Sequence, residues 1–443
     1  MQAMDSRDSN SSINGLYQAI TYQVGLSGGA WFLSSLAAGN WPTVSSLRAT
    51  IYDDRLPNGF LFPAEPNILY VGSNYKQIDT DIGAKQAAGY PTTIVDVYGR
   101  SLGYNMFNGT DGGVNLTMSG LTSLSNFAGH SAPFPIVTSI GRDPTSSCSV
   151  GFNGTQYEIS PYEFGSWDIG TNAFVQTAYL GTNLTNGIAN TNQCTTGLDN
   201  LGFITGTSSD VYAGVCDPQE VPNGTLTAVA DALQALLAEE AGTSANELFA
   251  TYPNPFFGCP HSPEVAQSKT LYLGDGGLSL QTDPIWPLIQ PARDVSALIV
   301  GDSRGNTSAS YPDDIAIAYT YIQAQAHNLT RMPFIPGPSV FISQNLTQRA
   351  QFFGCNEPNA VTMVWLPFAA YIAAATNVGP DDLQVSKADI ASVISNGNLG
   401  ATQGDDEGWP LCLACAMMKK TGSALPAGCA ACFTKYCYNP TAA

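Results

Sequence analysis

Charge is scarce in this chain, and positive charge is scarcest. Asp, Glu, Lys and Arg make up 12% of the 443 residues, about half the usual share. Lys and Arg number 16 against 35 Asp and Glu, a net charge of −19 at pH 7. Such a surface repels phosphate, and no Lys/Arg-rich run offsets it. Nucleic acid is therefore excluded as a partner, and so is strong electrostatic attraction to an anionic membrane. Long apolar runs are also lacking. The nearest to one is AVTMVWLPFAAYIAAATNVG, residues 360–379, which contains Pro367 and falls short of the ~20 apolar residues needed to span a bilayer. It reads as a buried strand ending at Pro367, followed by a short helix or loop. The opening MQAMDSRDSNSSING has no apolar signal-peptide core, and the closing YCYNPTAA has no hydrophobic tail for a lipid anchor. Histidine occurs only three times, at His130, His261 and His327.

What the chain does have is a large apolar fraction, 44%, enough for a sizeable core. It has ten cysteines: Cys148, Cys194, Cys216, Cys259, Cys355, Cys412, Cys415, Cys429, Cys432 and Cys437. An even count spread over a long chain fits an oxidising compartment. Asn-X-Ser/Thr occurs nine times, at Asn10, Asn108, Asn115, Asn153, Asn183, Asn223, Asn306, Asn328 and Asn345. Together these features predict a secreted or cell-surface N-glycoprotein. A secreted protein without a leader implies that the natural N-terminus lies upstream of Met1.

Short strand and helix patterns alternate along the chain, and no internal repeat or linker divides it. This predicts an α/β layered fold, a central mixed sheet flanked by helices. The expected organisation is one catalytic domain over 1–443 with a Cys-rich segment at 405–443. AITYQVGLS reads as a strand running into a glycine turn. GGAWFLSSLAAGNWP reads as a helix closed by Gly39 and Pro42. TTIVDVYGR (92–100), APFPIVTSIGR (132–142), KTLYLGDGGL (269–278) and VSALIVGDS (295–303) read as strands. LTAVADALQALLAEEAG (226–242) carries Leu226, Val229, Leu233, Leu236 and Leu237 at helical spacing. It reads as an amphipathic helix with a core-packing face; a lipid-contacting lid is the alternative.

The stretch Gly25-Leu26-Ser27-Gly28-Gly29 fits G-x-S-x-G, with a strand before it and a helix after it. Glycines on both sides permit the sharp turn that exposes a nucleophilic hydroxyl. Gly28 and Gly29 let backbone N–H groups approach a developing oxyanion, aided by the field at the helix N-terminus. The plainer reading is a glycine turn with a capping serine. A nucleophilic serine needs a base. One option is a histidine, although none of the three stands in a distinctive neighbourhood. The other is a carboxylate. Asp275 is the strongest, because LGDGG sets an acid at a strand end beside Gly276 and Gly277, where α/β sheets place functional groups. Its plainer role is to close the loop as an Asx turn.

GLSGGAW near the start, DGG much later and PLIQPARDV after it resemble fungal lysophospholipases (phospholipase B), a family related to cytosolic phospholipase A2 and more distantly to patatins. The resemblance continues through MDSRDSN (4–10), YEFGSWD (162–168), YPNPFFG (252–258), FFGC (352–355), WPLCLACAMMKKTG and CAACFTKYC. It implies a cytosolic phospholipase A2-like catalytic fold and a Ser/Asp dyad without histidine, with Ser27 as nucleophile and Asp275 as general base. It further implies hydrolysis of fatty-acyl esters of lysophospholipids or phospholipids at a micelle or membrane surface, with no metal, no cofactor and no obligate protein partner. One departure stands out. The family carries S-G-G-G-x-R-A-M, whose glycines form the oxyanion hole and whose Arg holds the substrate phosphate, upstream of the segment matching Met4–Arg7. The 443 residues contain no such stretch. The expectation is a chain truncated at its N-terminus.

Cys412-x₂-Cys415 and Cys429-x₂-Cys432 have zinc-ribbon spacing. Cys437 is left over, and the resembling family pairs its cysteines, so disulfides are the expectation, with connectivity open. Two other function classes remain: a Ser-His-Asp esterase or lipase, and a non-catalytic glycoprotein that keeps the fold.

Overall fold

A computed structural model describes residues 1–59, 68–142, 150–216, 248–303, 312, 314–368 and 384–440. Strand β1 (Tyr22–Gly25) runs through a tight turn into helix α1 (Gly28–Ala38). Helix α2 (Ile94–Met106) follows. Strand β2 (Phe134–Gly141) is buried along almost its whole length. β3 (Gln156–Ile159), β4 (Glu163–Ser166) and β5 (Ala173–Gln176) form a meander beside it. β6 (Leu184–Thr185) and β7 (Ile188–Ala189) make a separate small hairpin. Helix α3 (Leu201–Ser208) leads towards β8 (Ala250–Pro253) and β9 (Thr270–Gly274).

The main sheet is seven-stranded in the order β5-β4-β3-β2-β9-β8, with β1 also paired to β2. β1 lies parallel to β2, while β3 and β9 lie antiparallel to it. A second sheet of three strands joins β10 (Ala297–Asp302), β11 (Gln351–Phe353) and β12 (Thr362–Pro367) in the order β10-β12-β11. Helices α4 (Lys387–Thr402), α5 (Trp409–Met418) and α6 (Cys429–Tyr436) close the chain. The architecture is thus the mixed α/β arrangement expected. The strands expected at 132–142, 269–278 and 295–303 are β2, β9 and β10. The strand expected to end at Pro367 is β12.

The largest core cluster packs α1, α2 and α3 against the main sheet, with Leu33, Leu36, Val95, Leu102, Val137, Ile159, Ile204 and Leu273 fully or almost fully buried. A second cluster joins Ala3, Met4, Ile13 and Tyr17 to the α5–α6 region and β12.

One element differs from expectation. TTIVDVYGR is not a strand but the start of α2. Its β-branched Thr-Thr-Ile-Val run favours a strand, yet Thr93 and Asp96 form a capping box. The Thr93 side chain accepts from the Val95 N–H, and the Thr93 N–H donates to Asp96 Oδ2 at 2.8 Å. That reciprocal pair satisfies orphan amides at a helix start. The amphipathic face behind it then packs on α3. The helix read at 226–242 lies outside the described residues, as does the part of 360–379 beyond Phe368.

The cysteines pair as Cys355–Cys437, Cys412–Cys432 and Cys415–Cys429, with Cα atoms 6.1, 5.0 and 5.5 Å apart. The two C-x₂-C pairs therefore staple α5 to α6 crosswise rather than forming a zinc ribbon. Cys194 and Cys259, expected to pair, are free: the first is exposed and the second half-buried. Cys148 and the side chain of Cys216 lie outside the described residues.

Candidate active site

The register of the sheet explains how residues 248 positions apart meet. β1 runs parallel to β2 and ends with Gly25 opposite Val137. β9 runs antiparallel on the same side and ends with Gly274 opposite Ile140. Continued by two residues and by one, the two registers converge from opposite directions on Ser139. Both chains leave the sheet there, β1 through Leu26-Ser27 and β9 through Asp275-Gly276. An ideal Cβ on Gly276 would lie 2.5 Å from Leu26 Cδ1 and 3.8 Å from Ser139 Cα. Glycine at 276 is what lets the two turns touch.

Ser27 sits at φ 53°, ψ −122°, between the last residue of the β1 turn and the first of α1. That backbone is strained for a residue with a side chain, and two contacts hold it. The Ser27 N–H donates to both the carbonyl and the Oγ of Ser208 at 3.2 Å. Gly25 packs so closely under the helix start that a Cβ there would fall 2.6 Å from the Gly29 carbonyl oxygen. Only glycine fits, so the first Gly of the motif serves the turn.

The Ser27 hydroxyl donates to Asp275 Oδ2 at 2.8 Å. Asp275 Oδ1 accepts the Gly277 N–H at 2.8 Å, the Asx turn that fixes the carboxylate. Burial pushes the Asp275 carboxyl up to about 6, opposed by the Gly277 amide and the Ser27 hydroxyl, which favour its anion. Asp275 is 5% exposed, while Ser27 is half-buried and Gly28 and Gly29 are exposed. Ser27 thus lies nearer solvent than the carboxylate it bonds. A carboxylate with this environment ionises within the range where it can accept a proton from a serine.

The glycines after the serine differ in use. The Gly29 N–H donates to the Leu26 carbonyl at 2.8 Å, so it is not free for an oxyanion. The Gly28 N–H has no acceptor among the described residues. None of the three histidines bonds Ser27 or Asp275. His130 sits at φ 54° after a short helix, and His327 packs its ring edge-on to Trp286 at 5.3 Å.

Sequence reasoning missed the floor of the site, GTSSD at 206–210. Ser208 accepts from the Ser27 amide and donates to the Thr138 carbonyl at 2.6 Å. Ser209 Oγ accepts the Trp31 indole N–H at 2.7 Å. Asp210 is completely buried next to them. Two hydroxyls and an acid at a helix end were the available signal. Among the described residues, no group of three or more His, Cys, Asp or Glu could hold a metal ion.

Comparison with known proteins gives one pattern. The family model for a lysophospholipase catalytic domain matches residues 1–443. The chain is 34% identical over 469 residues to Lysophospholipase 2 of Aspergillus fumigatus, covering 100% of this chain and 78% of that protein. It is 32% identical over 476 residues to Lysophospholipase 1 of Saccharomyces cerevisiae, covering 100% and 70%. Human GIVD cytosolic phospholipase A2 shares the fold with a TM-score of 0.66 at 16% identity, over 91% of this chain and 59% of that one.

Proposed function

Because the chain belongs to the lysophospholipase catalytic-domain family, a family of carboxylic ester hydrolases, we propose that it hydrolyses fatty-acyl esters of lysophospholipids and phospholipids through a Ser27/Asp275 dyad. The single observation that carries the dyad is the 2.8 Å hydrogen bond from the Ser27 hydroxyl to Asp275 Oδ2. Ser27 Oγ attacks the acyl carbonyl as its proton passes to Asp275. The tetrahedral oxyanion forms at the N-terminus of α1, where the Gly28 N–H has no acceptor among the described residues and the helix field favours negative charge. The ester C–O bond then breaks, and the protonated Asp275 returns its proton to the leaving glycerol oxygen. Water attacks the acyl-serine with Asp275 again as base, releasing the fatty acid and restoring Ser27. The products are a free fatty acid and, from a lysophospholipid, a glycerophosphodiester, which places the activity in phospholipid catabolism.

The same reading takes the protein as a secreted or surface glycoprotein. In support, the seven sequon asparagines that lie among the described residues, Asn10, Asn108, Asn115, Asn153, Asn183, Asn328 and Asn345, are all exposed. Asn223 and Asn306 lie outside the described residues. Three disulfides agree with an oxidising compartment. Among the described residues no helix is long and apolar enough to cross a membrane. It also takes 1–443 as one catalytic domain: Cys437 in the 405–443 segment is bonded to Cys355 and bridges Phe352 of β11.

A second reading, a non-catalytic glycoprotein of this fold, is favoured by the Gly29 N–H being committed to the Leu26 carbonyl, which leaves the turn short of oxyanion donors. Removing an oxyanion donor costs about 10²–10³ in turnover. The test is fatty-acid release from lysophosphatidylcholine by the purified chain. Release well above the uncatalysed rate supports the dyad. No release, from a protein shown to be folded by circular dichroism, favours the second reading.

A further inference from the structure

Asp210 is a buried carboxyl that the dyad does not use. It is 0% exposed. It occupies the turn after α3, two residues beyond Ser208, whose carbonyl and hydroxyl hold the Ser27 amide. Its Oδ1 accepts the Tyr212 N–H at 3.2 Å. Its Oδ2 has no hydrogen-bond partner among the described residues. That oxygen lies 3.7 Å from where a Cβ on Gly274 would stand, so it abuts the strand end that delivers Asp275.

The charged and titratable surroundings are one-sided. Asp275 comes from the turn after β9, Tyr98 from α2, and Tyr212 from the start of the short helix Tyr212–Cys216 that follows Asp210. The backbone amides of Tyr212, Ala213 and Ala250 favour its anion. No Lys, Arg or His forms an ion pair with it among the described residues. Arg142, on the end of β2, stacks its guanidinium over Tyr272 at 3.8 Å and Phe249 at 5.3 Å.

We propose that Asp210 is a positioning residue of the hydrolytic site, which packs the turn after α3 against the end of β9 and so holds Ser208 where it braces the strained Ser27. A neutral acid fits beside the Asp275 anion in a dry wall. A second anion does not: burial and the neighbouring Asp275 both hold the Asp210 carboxyl far above the usual carboxylate range. Two carboxyls whose surroundings separate their titrations divide the work, one as base and one as acid. When Asp210 ionises, it keeps the backbone amides of Tyr212, Ala213 and Ala250, but Oδ2 gains no cationic partner among the described residues. The turn must open to find water, and Ser208 opens with it. The site then loses the grip on the Ser27 amide while the dyad residues remain in place.

This proposal rests on the hydrolytic reading of Ser27 and Asp275, and one of its tests does not. Asp210→Asn keeps the shape and the acceptor for the Tyr212 amide but cannot ionise. Asp210→Ala loses both. The first arm is denaturation of the parent chain and D210N as a function of pH. An acid whose folded titration is raised makes stability fall as pH rises above its unfolded value, about 4. Above that value the parent should lose stability with rising pH more steeply than D210N. The second arm is kcat/KM against pH on lysophosphatidylcholine. D210N should stay within about threefold of the parent near pH 6 and keep activity on the alkaline side, where the parent falls. D210A should be weakened at every pH, with Asn acting as the rescue. Superimposable stability slopes and pH profiles for the parent and D210N would overturn the proposal. So would a folded D210N that is inactive near pH 6. If the parent hydrolyses nothing, the stability arm still decides.

Discussion

As the proposed base, Asp275 must be buried and ionised at once, and those demands oppose each other. Burial pushes its carboxyl up to about 6, and only the Gly277 amide and the Ser27 hydroxyl hold it that low. The base form exists above that value. Activity should therefore fall as pH drops through about 6, which a kcat/KM profile reads as an acid limb. The stability sign runs the other way. A carboxyl raised on folding costs stability as pH rises from its unfolded value of about 4 towards about 6. The site is thus most active where its base is least comfortable, the usual trade between stability and a working site. Ser27 shows the same economy, since its positive φ is tolerated only because Ser208 and the bare Gly25 brace it.

At the scale of elements, the close crossing of α2 and α3 positions the brace. A Cβ on Gly99 would lie 2.6 Å from the Gly202 carbonyl oxygen, and one on Gly206 would lie 2.8 Å from Gly99 Cα. The helices touch backbone to backbone, and α3 ends at Ser208. Gly99→Ala should therefore destabilise the fold by about 1–3 kcal/mol, as overpacking does. It should also lower kcat by displacing Ser208; denaturant melts and steady-state kinetics on one preparation check both. This crossing also marks where the sequence stopped being readable. Ser27 and Asp275 could be read because each stands at a strand end among glycines, a local signal. Residues 92–100 could not, because their β-branched run favours a strand while the capping box and the α3 contact impose a helix. Ser208 and Asp210 were invisible for a further reason. Their partners are 181 positions away at Ser27 and across the strand end at Gly274, and only the sheet register brings them together.

At the scale of the whole molecule, the two ends of the chain share one core. Ala3, Met4 and Ile13 pack with Trp409, Cys412 and Tyr436, and three disulfides lock the tail. The two bonds between α5 and α6 close loops with separations of 20 and 14 residues, each worth roughly 3 kcal/mol in a chain-entropy account. Reductant should lower the melting temperature by several degrees, whereas a zinc chelator should leave it unchanged; thermal melts under both conditions separate staples from a metal ribbon. The sparse, acidic surface offers little long-range attraction to an anionic partner. The proposed hydrolysis depends on one hydrogen bond, from Ser27 to Asp275. The most direct test is fatty-acid release from lysophosphatidylcholine by the parent, by Ser27→Ala, by Asp275→Asn and by a variant with His130, His261 and His327 all replaced by Gln, each confirmed as folded. The dyad predicts that the two single variants lose activity by at least about 10³-fold and that the histidine-free chain keeps it. Substantial activity in either single variant, or its loss with the histidines, would contradict it.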